Sequence, residues 1–292
     1  MRKVMKVAVI DIGSNSVRLM MWADGKTLYK AKHTTRLGDG LMFSPMLNSD
    51  AIERTAQAVA EFNARALSEG ADNVYAFATA AVRSSANPKD FTDRVKVLCG
   101  LEVDVISGEN EAEIGLAGAL GGGDGGIIDV GGASTEVTLR TNGIVEYSKS
   151  VNIGTVRILN SAGRDLSKIN AFIAEKVAEY GVKDFSRHSF YAVGGTASRL
   201  ACIKNGAKQY ISEVIHGTVL TVKELEQLTE YLTSAPVEEI RANTICTKSA
   251  DLVGGGTALL LAVMRNFGIE KVTVSDTDNL EGYLYSRLNL QS

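Results

Sequence analysis

At 292 residues the chain is long for one hydrophobic core and matches two domains, each able to bury its own. An apolar content of 45%, mixed charge and only three prolines exclude a disordered or low-complexity chain, and a net charge of −3 excludes polyanion binding by bulk electrostatics. Any phosphate-rich ligand has to be met by local Arg or Lys, by backbone N–H groups or by a metal.

Residues 7–11 form an apolar run of strand length, residues 13–15 a turn, residues 16–22 a second strand and residues 27–35 a third. Asn48 and Asp50 offer helix caps, and Ile52, Ala56, Val59, Phe62, Ala66 and Leu67 recur at helical spacing. Strands are predicted over 74–79 and 101–106, with helices over 89–98 and 109–120, an α/β alternation. The pattern then restarts: strand 126–130, turn 131–134, strand 135–140, and Asn142-Gly143 as a tight hairpin into a third strand. Asp11-Ile-Gly13-Ser14-Asn15-Ser16 and Asp129-Val-Gly131-Gly132-Ala133-Ser134 are one device used twice, which predicts two similar domains, each presenting a strand, an Asp and a turn to a common cleft. The remainder reads as helix 166–180, strand 190–193 running into Gly194-Gly195-Thr196, a helix opened by Thr221 with Glu224 as its capping box, helix 255–266, strand 271–274 and helix 281–288. The expected boundaries are 1–120, joined by the last helix 281–292, and 121–280. No segment holds the roughly 18 apolar residues of a membrane span, and the opening residues carry only a brief apolar run, so a cytoplasmic, non-exported protein is expected.

Glycine is abundant, at 29 residues, and clusters at 121–123, 131–132, 194–195 and 254–256, where missing side chains let a backbone approach a ligand. Asp11 and Asp129 each end an apolar strand beside a turn whose N–H groups can bind phosphate oxygens, a setting of hard oxygen donors that suits Mg²⁺ (or Mn²⁺). Strand alternation puts Glu136 on one face with Ser134 and Thr138, and Val137 and Leu139 on the other. On the helix after Ser107-Gly108, Glu111 shares a face with Gly115 and Gly118, read here as a cleared face open to a cleft. Arg83 follows a strand in a Ser- and Asn-rich loop and can fork onto phosphate oxygens, with Arg18 a second candidate. Taken singly, each of these also fits a structural turn, a solvated carboxylate or a surface arginine. Cys99, Cys202 and Cys246 show no metal-ligand spacing, and His33, His188 and His216 read as structural.

Together, Asp11-Ile-Gly-Ser-Asn-Ser-Val-Arg18-Leu, Ala-Val-Arg83, Ser107-Gly-Glu-Asn-Glu111-Ala, Asp129-Val-Gly-Gly-Ala-Ser-Thr-Glu136 and Val193-Gly-Gly-Thr-Ala-Ser-Arg199-Leu resemble, in order, the exopolyphosphatase and guanosine pentaphosphate phosphatase family. The resemblance implies two similar ribonuclease H-like domains of the actin, sugar kinase and chaperone superfamily around a central cleft. It implies hydrolysis of a terminal phosphoanhydride, with Glu111 deprotonating the attacking water and Arg83 clamping a phosphate. Asp129 and Glu136 match the residues that hold the metal, supported by Asp11. Phosphates would be cradled by Gly13, Ser14, Asn15, Ser16 and Arg18, by Gly131, Gly132, Ala133 and Ser134, and by Gly194, Gly195 and Thr196. The implied partners are inorganic polyphosphate or guanosine penta- and tetraphosphate, with no nucleic acid polymer and no membrane, and a homodimer left open. Guanosine pentaphosphate hydrolysis is the alternative within the enzyme class, and a non-catalytic alarmone or nucleotide sensor the alternative outside it. The sequence departs from the family at Ala133, where a third Gly is usual, and in Lys248-Ser-Ala-Asp251 and Thr277-Asp-Asn-Leu280.

Overall fold

A computed structural model describes residues 5–41 and 44–289. The chain divides into two compact units, one running to Ile114 and taking in Ser286–Leu288, the other beginning at Gly115 and running to Tyr285.

The first unit contains β1 (Lys6–Ile12), β2 (Ser16–Ala23), β3 (Lys26–Thr34), α1 (Ser49–Ser68), β4 (Asn73–Ala78), α2 (Ala80–Arg83), α3 (Pro88–Cys99) and β5 (Val103–Val105). Helix α4 (Gly108–Leu120) starts in it. The sheet order is β3-β2-β1-β4-β5, with β1, β2 and β3 antiparallel and β1, β4 and β5 parallel, the order of a ribonuclease H-like domain. Its central strand has no polar face: Ala8, Ile10 and Ile12 on one side and Val7 and Val9 on the other are all fully buried, as a strand covered on both faces requires. Helix α1 lays Ile52, Ala56, Val59, Phe62 and Ala66 against Ala8, Ile10 and Ile12, each large side chain contributing roughly 2 kcal/mol of burial. Its start is fixed by Asn48, whose side-chain oxygen accepts from the Asp50 N–H at 2.8 Å.

The second unit contains β6 (Gly125–Val130), β7 (Thr135–Thr141), β8 (Ile144–Val151), α5 (Thr155–Ala162), α6 (Leu166–Val177), a 3-10 turn at Ala178–Tyr180, β9 (Phe190–Val193), α7 (Gly194–Lys204), α8 (Ser212–Ile215), β10 (Val219–Thr221), α9 (Val222–Ser234), α10 (Val237–Asn243), α11 (Val253–Asn266), β11 (Lys271–Val274) and, up to Tyr285, α12 (Asn279–Leu288). Its sheet, β10-β11-β9-β6-β7-β8, has the same core order with one antiparallel strand added at an edge. Asn142 and Gly143 take φ of 52° and 75° in the β7–β8 hairpin, the turn their sequence predicts. One face of the sheet, with Ile128, Val130, Val137 and Leu139, belongs to a large core shared with α5, α6, α7, α9 and α11. The opposite face puts Ile127 and Val193 against Leu116 and Ala119 of α4.

Two glycine readings are corrected. A Cβ at Gly118 would stand 2.0 Å from the Asp278 carbonyl oxygen, and one at Gly115 would stand 2.9 Å from the Asn279 side chain. That face of α4 is cleared for the start of α12 rather than for a ligand. Likewise a Cβ at Gly254, Gly255 or Gly256 would fall within 3 Å of Leu232, Ile158, or Thr155 and Thr196, so this cluster lets α11 pack against α5, α7 and α9. Helices α2, α5, α7, α8 and α10 and strand β10 were not legible beforehand.

Candidate active site

The duplicated device is visible hydrogen bond by hydrogen bond. Strand β1 carries Asp11 near its end, and the Gly13 N–H turns back to donate to the Ser16 carbonyl at 3.0 Å; in the second unit Gly131 donates to Ser134, also at 3.0 Å. In both, the chain leaving the third strand returns to brace the loop. Thr35 and Arg36 donate their N–H groups to the Asn15 carbonyl at 3.1 and 3.0 Å and Gly38 donates to Ser14 at 2.8 Å, while Thr155 and Val156 donate to the carbonyls of Gly131 and Gly132 at 3.0 and 2.9 Å. The second brace needs Gly154, where a Cβ would stand 2.5 Å from the Gly132 carbonyl. Asn15 and Ala133 are the exposed tips of the two loops. Arg157 fixes the second tip by donating from Nε to the Ala133 carbonyl at 2.7 Å.

The two copies differ across the ladder from the aspartate. Asp11 pairs in register with Arg18, and Asp129 with Glu136. Arg18 donates Nε to Asp11 Oδ2 at 2.9 Å and Nη2 to the same oxygen at 2.5 Å, so the buried Asp11 carboxylate already faces a cation. Asp129 instead faces a second carboxylate, and Ser150 donates its hydroxyl to Glu136 Oε1 at 2.5 Å. Like charges directly opposite on a sheet repel unless something positive sits with them. Among the described residues no group of three or more His, Cys, Asp and Glu gathers. Two carboxylates with the remaining positions left to water and phosphate are the usual protein share of a Mg²⁺ site. The Asp129–Glu136 pair therefore fits such an ion; Asp11, neutralised by Arg18, fits it less well as a direct ligand.

Glu111 and Arg83 come together in the first unit. The backbone N–H of Ile106 donates to Ala78 at the end of β4, and that of Glu111 donates to Ser107 in the first turn of α4, at 3.1 and 3.0 Å. Arg83 closes α2 and donates Nη1 to Glu111 Oε2 at 2.8 Å and to the Ile106 carbonyl at 3.0 Å. Among the described residues no acceptor meets its Nε or Nη2. Burial pushes the Glu111 carboxyl above the usual range; the hydrogen bond and charge of Arg83 pull it down, the negative Asp11 pushes it up again, and the Thr79 hydroxyl lowers it. The outcome is a raised carboxylate, the direction a general base working near neutrality needs.

Gly194, at the start of α7, has φ of 80°, and a Cβ there would stand 2.4 Å from Asp129 Oδ1; only glycine allows both the turn and the close carboxylate. Gly195 is exposed. Thr196 faces inward, buried, with its hydroxyl on the Val130 carbonyl at 2.8 Å, so it ties α7 to β6 and is spent before any ligand arrives. Ser150, Gly154 and Thr79 escape a reading by sequence because each acts from an element whose neighbour is set only by the fold.

Two ribonuclease H-like units, each with a braced acidic loop, define a duplicated actin-like fold. A family model described as the Ppx/GppA phosphatase family matches residues 9–291. The chain belongs to that family. It resembles the crystal structure of the Aquifex aeolicus Ppx/GppA family member with a TM-score of 0.81 and 28% identity, over 98% of both chains. An exopolyphosphatase from Cytophaga hutchinsonii shares the fold at 23% identity and a TM-score of 0.78, over 98% of both chains. Among curated proteins, a bifunctional 3-dehydroquinate synthase/phosphatase of Fusobacterium nucleatum is 31% identical over 94% of this chain, which spans only 45% of that protein. None of the helices among the described residues is long and apolar enough to cross a membrane.

Proposed function

We propose that the protein hydrolyses the terminal phosphoanhydride bond of inorganic polyphosphate, releasing orthophosphate. The observation that carries this reading is the Arg83–Glu111 pair: a carboxylate raised by burial yet kept ionisable by a guanidinium with N–H groups to spare. In this reading the Glu111 carboxylate accepts the proton of a water attacking the terminal phosphorus, and the spare N–H groups of Arg83 hold an oxygen of that phosphate. The O–P bond to the rest of the chain breaks, and the leaving phosphate keeps the electron pair. The braced loops at Gly13 to Ser16 and Gly131 to Ser134 orient phosphate oxygens, since phosphoryl transfer gains mostly from positioning and charge compensation. Asp129 and Glu136 would hold Mg²⁺, which when bound supplies positive charge for the phosphate oxygens. The test is initial-rate phosphate release from tripolyphosphate and from guanosine pentaphosphate by wild type and Glu111→Gln. Faster release from the inorganic chain, lost in the variant, is expected; release from guanosine pentaphosphate alone would reassign the substrate, and binding without release would make the protein a sensor.

A further inference from the structure

Arg36 stands in a backbone conformation its side chain does not favour. Its φ is 53°, in the left-handed region where a residue with a Cβ is strained and only Gly, Asn and Asp are at ease. The other non-glycine residues with positive φ among those described are Asp24, Asn142 and Asn289, all of tolerant types. Asp24 and Asn142 lie in two-residue hairpins, and Asn289 caps α12. Arg36 opens the turn 36–39 without a side chain of that tolerant kind.

The strained residue is tied to the first acidic loop. Its N–H donates to the Asn15 carbonyl at 3.0 Å, and its own carbonyl accepts from Asp39 at 3.1 Å. Its guanidinium is exposed and has no hydrogen-bond or ion-pair partner among the described residues. Within the loop's own strands the nearest cation, Arg18, is committed to Asp11. A loop shaped for an anion thus has its intrinsic positive charge already engaged, while an unpaired fork is held one backbone hydrogen bond away. The turn that Arg36 opens accepts Gly or Asn at this position without strain, and an arginine kept there points to a use for its side chain.

We propose that Arg36 is a further phosphate-binding residue, whose guanidinium takes oxygens of the phosphate chain received by the Gly13 to Ser16 loop. This rests on the reading of that loop as a phosphate site. The guanidinium offers two parallel N–H donors to a phosphate, which a lysine cannot reproduce.

The test compares wild type with Arg36→Asn, which tolerates the left-handed backbone, and with Arg36→Lys. Tripolyphosphate affinity is read calorimetrically with chelator present, alongside KM with Mg²⁺ and the melting temperature. Arg36→Asn is expected to melt at or above wild type while Kd and KM for tripolyphosphate rise about tenfold, with partial recovery in Arg36→Lys. Unchanged Kd and KM overturn the proposal whatever the melting temperature does, because Arg36 would then act on the backbone alone. Wild type that neither binds nor hydrolyses tripolyphosphate overturns the loop reading and this proposal together, and is told apart by appearing without any substitution.

Discussion

Replacing Arg83 by Met removes the guanidinium beside Glu111 and keeps an unbranched stem. In the wild type Nη1 lies 2.8 Å from Oε2, with the two side chains 30% and 28% exposed, so water screens the pair only in part. An opposite charge this close lowers a carboxylate, and here burial outweighs it. Loss of Arg83 leaves burial and the Asp11 charge unopposed except by Thr79, so the Glu111 carboxyl should rise further. A general base works ionised, so the acid limb of kcat/KM should move to higher pH, while the plateau falls because a phosphate contact is lost. The sign for stability is the opposite one. The folded state binds the Glu111 proton more tightly than the unfolded chain, so its contribution is fully present below the ordinary carboxylate value and is lost as pH rises through the raised one; Arg83→Met widens that window upward. The assay is the pH profile of phosphate release from tripolyphosphate, paired with urea titrations at each pH. A lowered plateau with an unmoved acid limb would refute the reasoning, since Glu111 would not be the titrating group that Arg83 governs.

Glu111→Gln should retain the wild-type melting temperature and lose roughly two to four orders of magnitude in kcat; a wild-type rate removes Glu111 from the role of base. Asp129→Asn and Glu136→Gln should each raise the Mg²⁺ concentration for half-maximal activity by at least about tenfold, and Asp11→Asn, whose charge Arg18 already meets, should raise it less. Equal shifts in all three variants would contradict the assignment of the ion to the second unit. Gly118→Ala places a Cβ against the Asp278 carbonyl and should cost about 1–3 kcal/mol in chemical denaturation. An unchanged midpoint would mean that the start of α12 moves freely.

The parts of the fold legible in the sequence are those whose signal is local. Strand β1 carries the unbroken apolar run 7–10 because both its faces are covered, and Asn142-Gly143 names its own turn. Glu136 could be placed opposite Val137 and Leu139 by alternation alone, and those two are indeed buried while Glu136 is half-exposed. Helix α7 is not legible because it opens on two glycines and buries Thr196, Ala197, Ser198, Leu200, Ala201 and Cys202, leaving only Arg199 and Lys204 to mark a polar side. The glycine-cleared face of α4 was visible, but its occupant was not, since α12 lies more than 150 residues further along the chain. The same limit hid the contrast between the two acidic loops. Arg18 and Glu136 hold equivalent places in the repeat, yet only the strand register shows one aspartate facing a cation and the other a carboxylate.

The central claim is tested most directly by following orthophosphate release from long polyphosphate, tripolyphosphate and guanosine pentaphosphate in parallel, with Mg²⁺ and with chelator. Metal-dependent release is expected, fastest from an inorganic chain and slowed by roughly two to four orders of magnitude in Glu111→Gln. Tight binding of these anions with no release from any of them under either condition would contradict it.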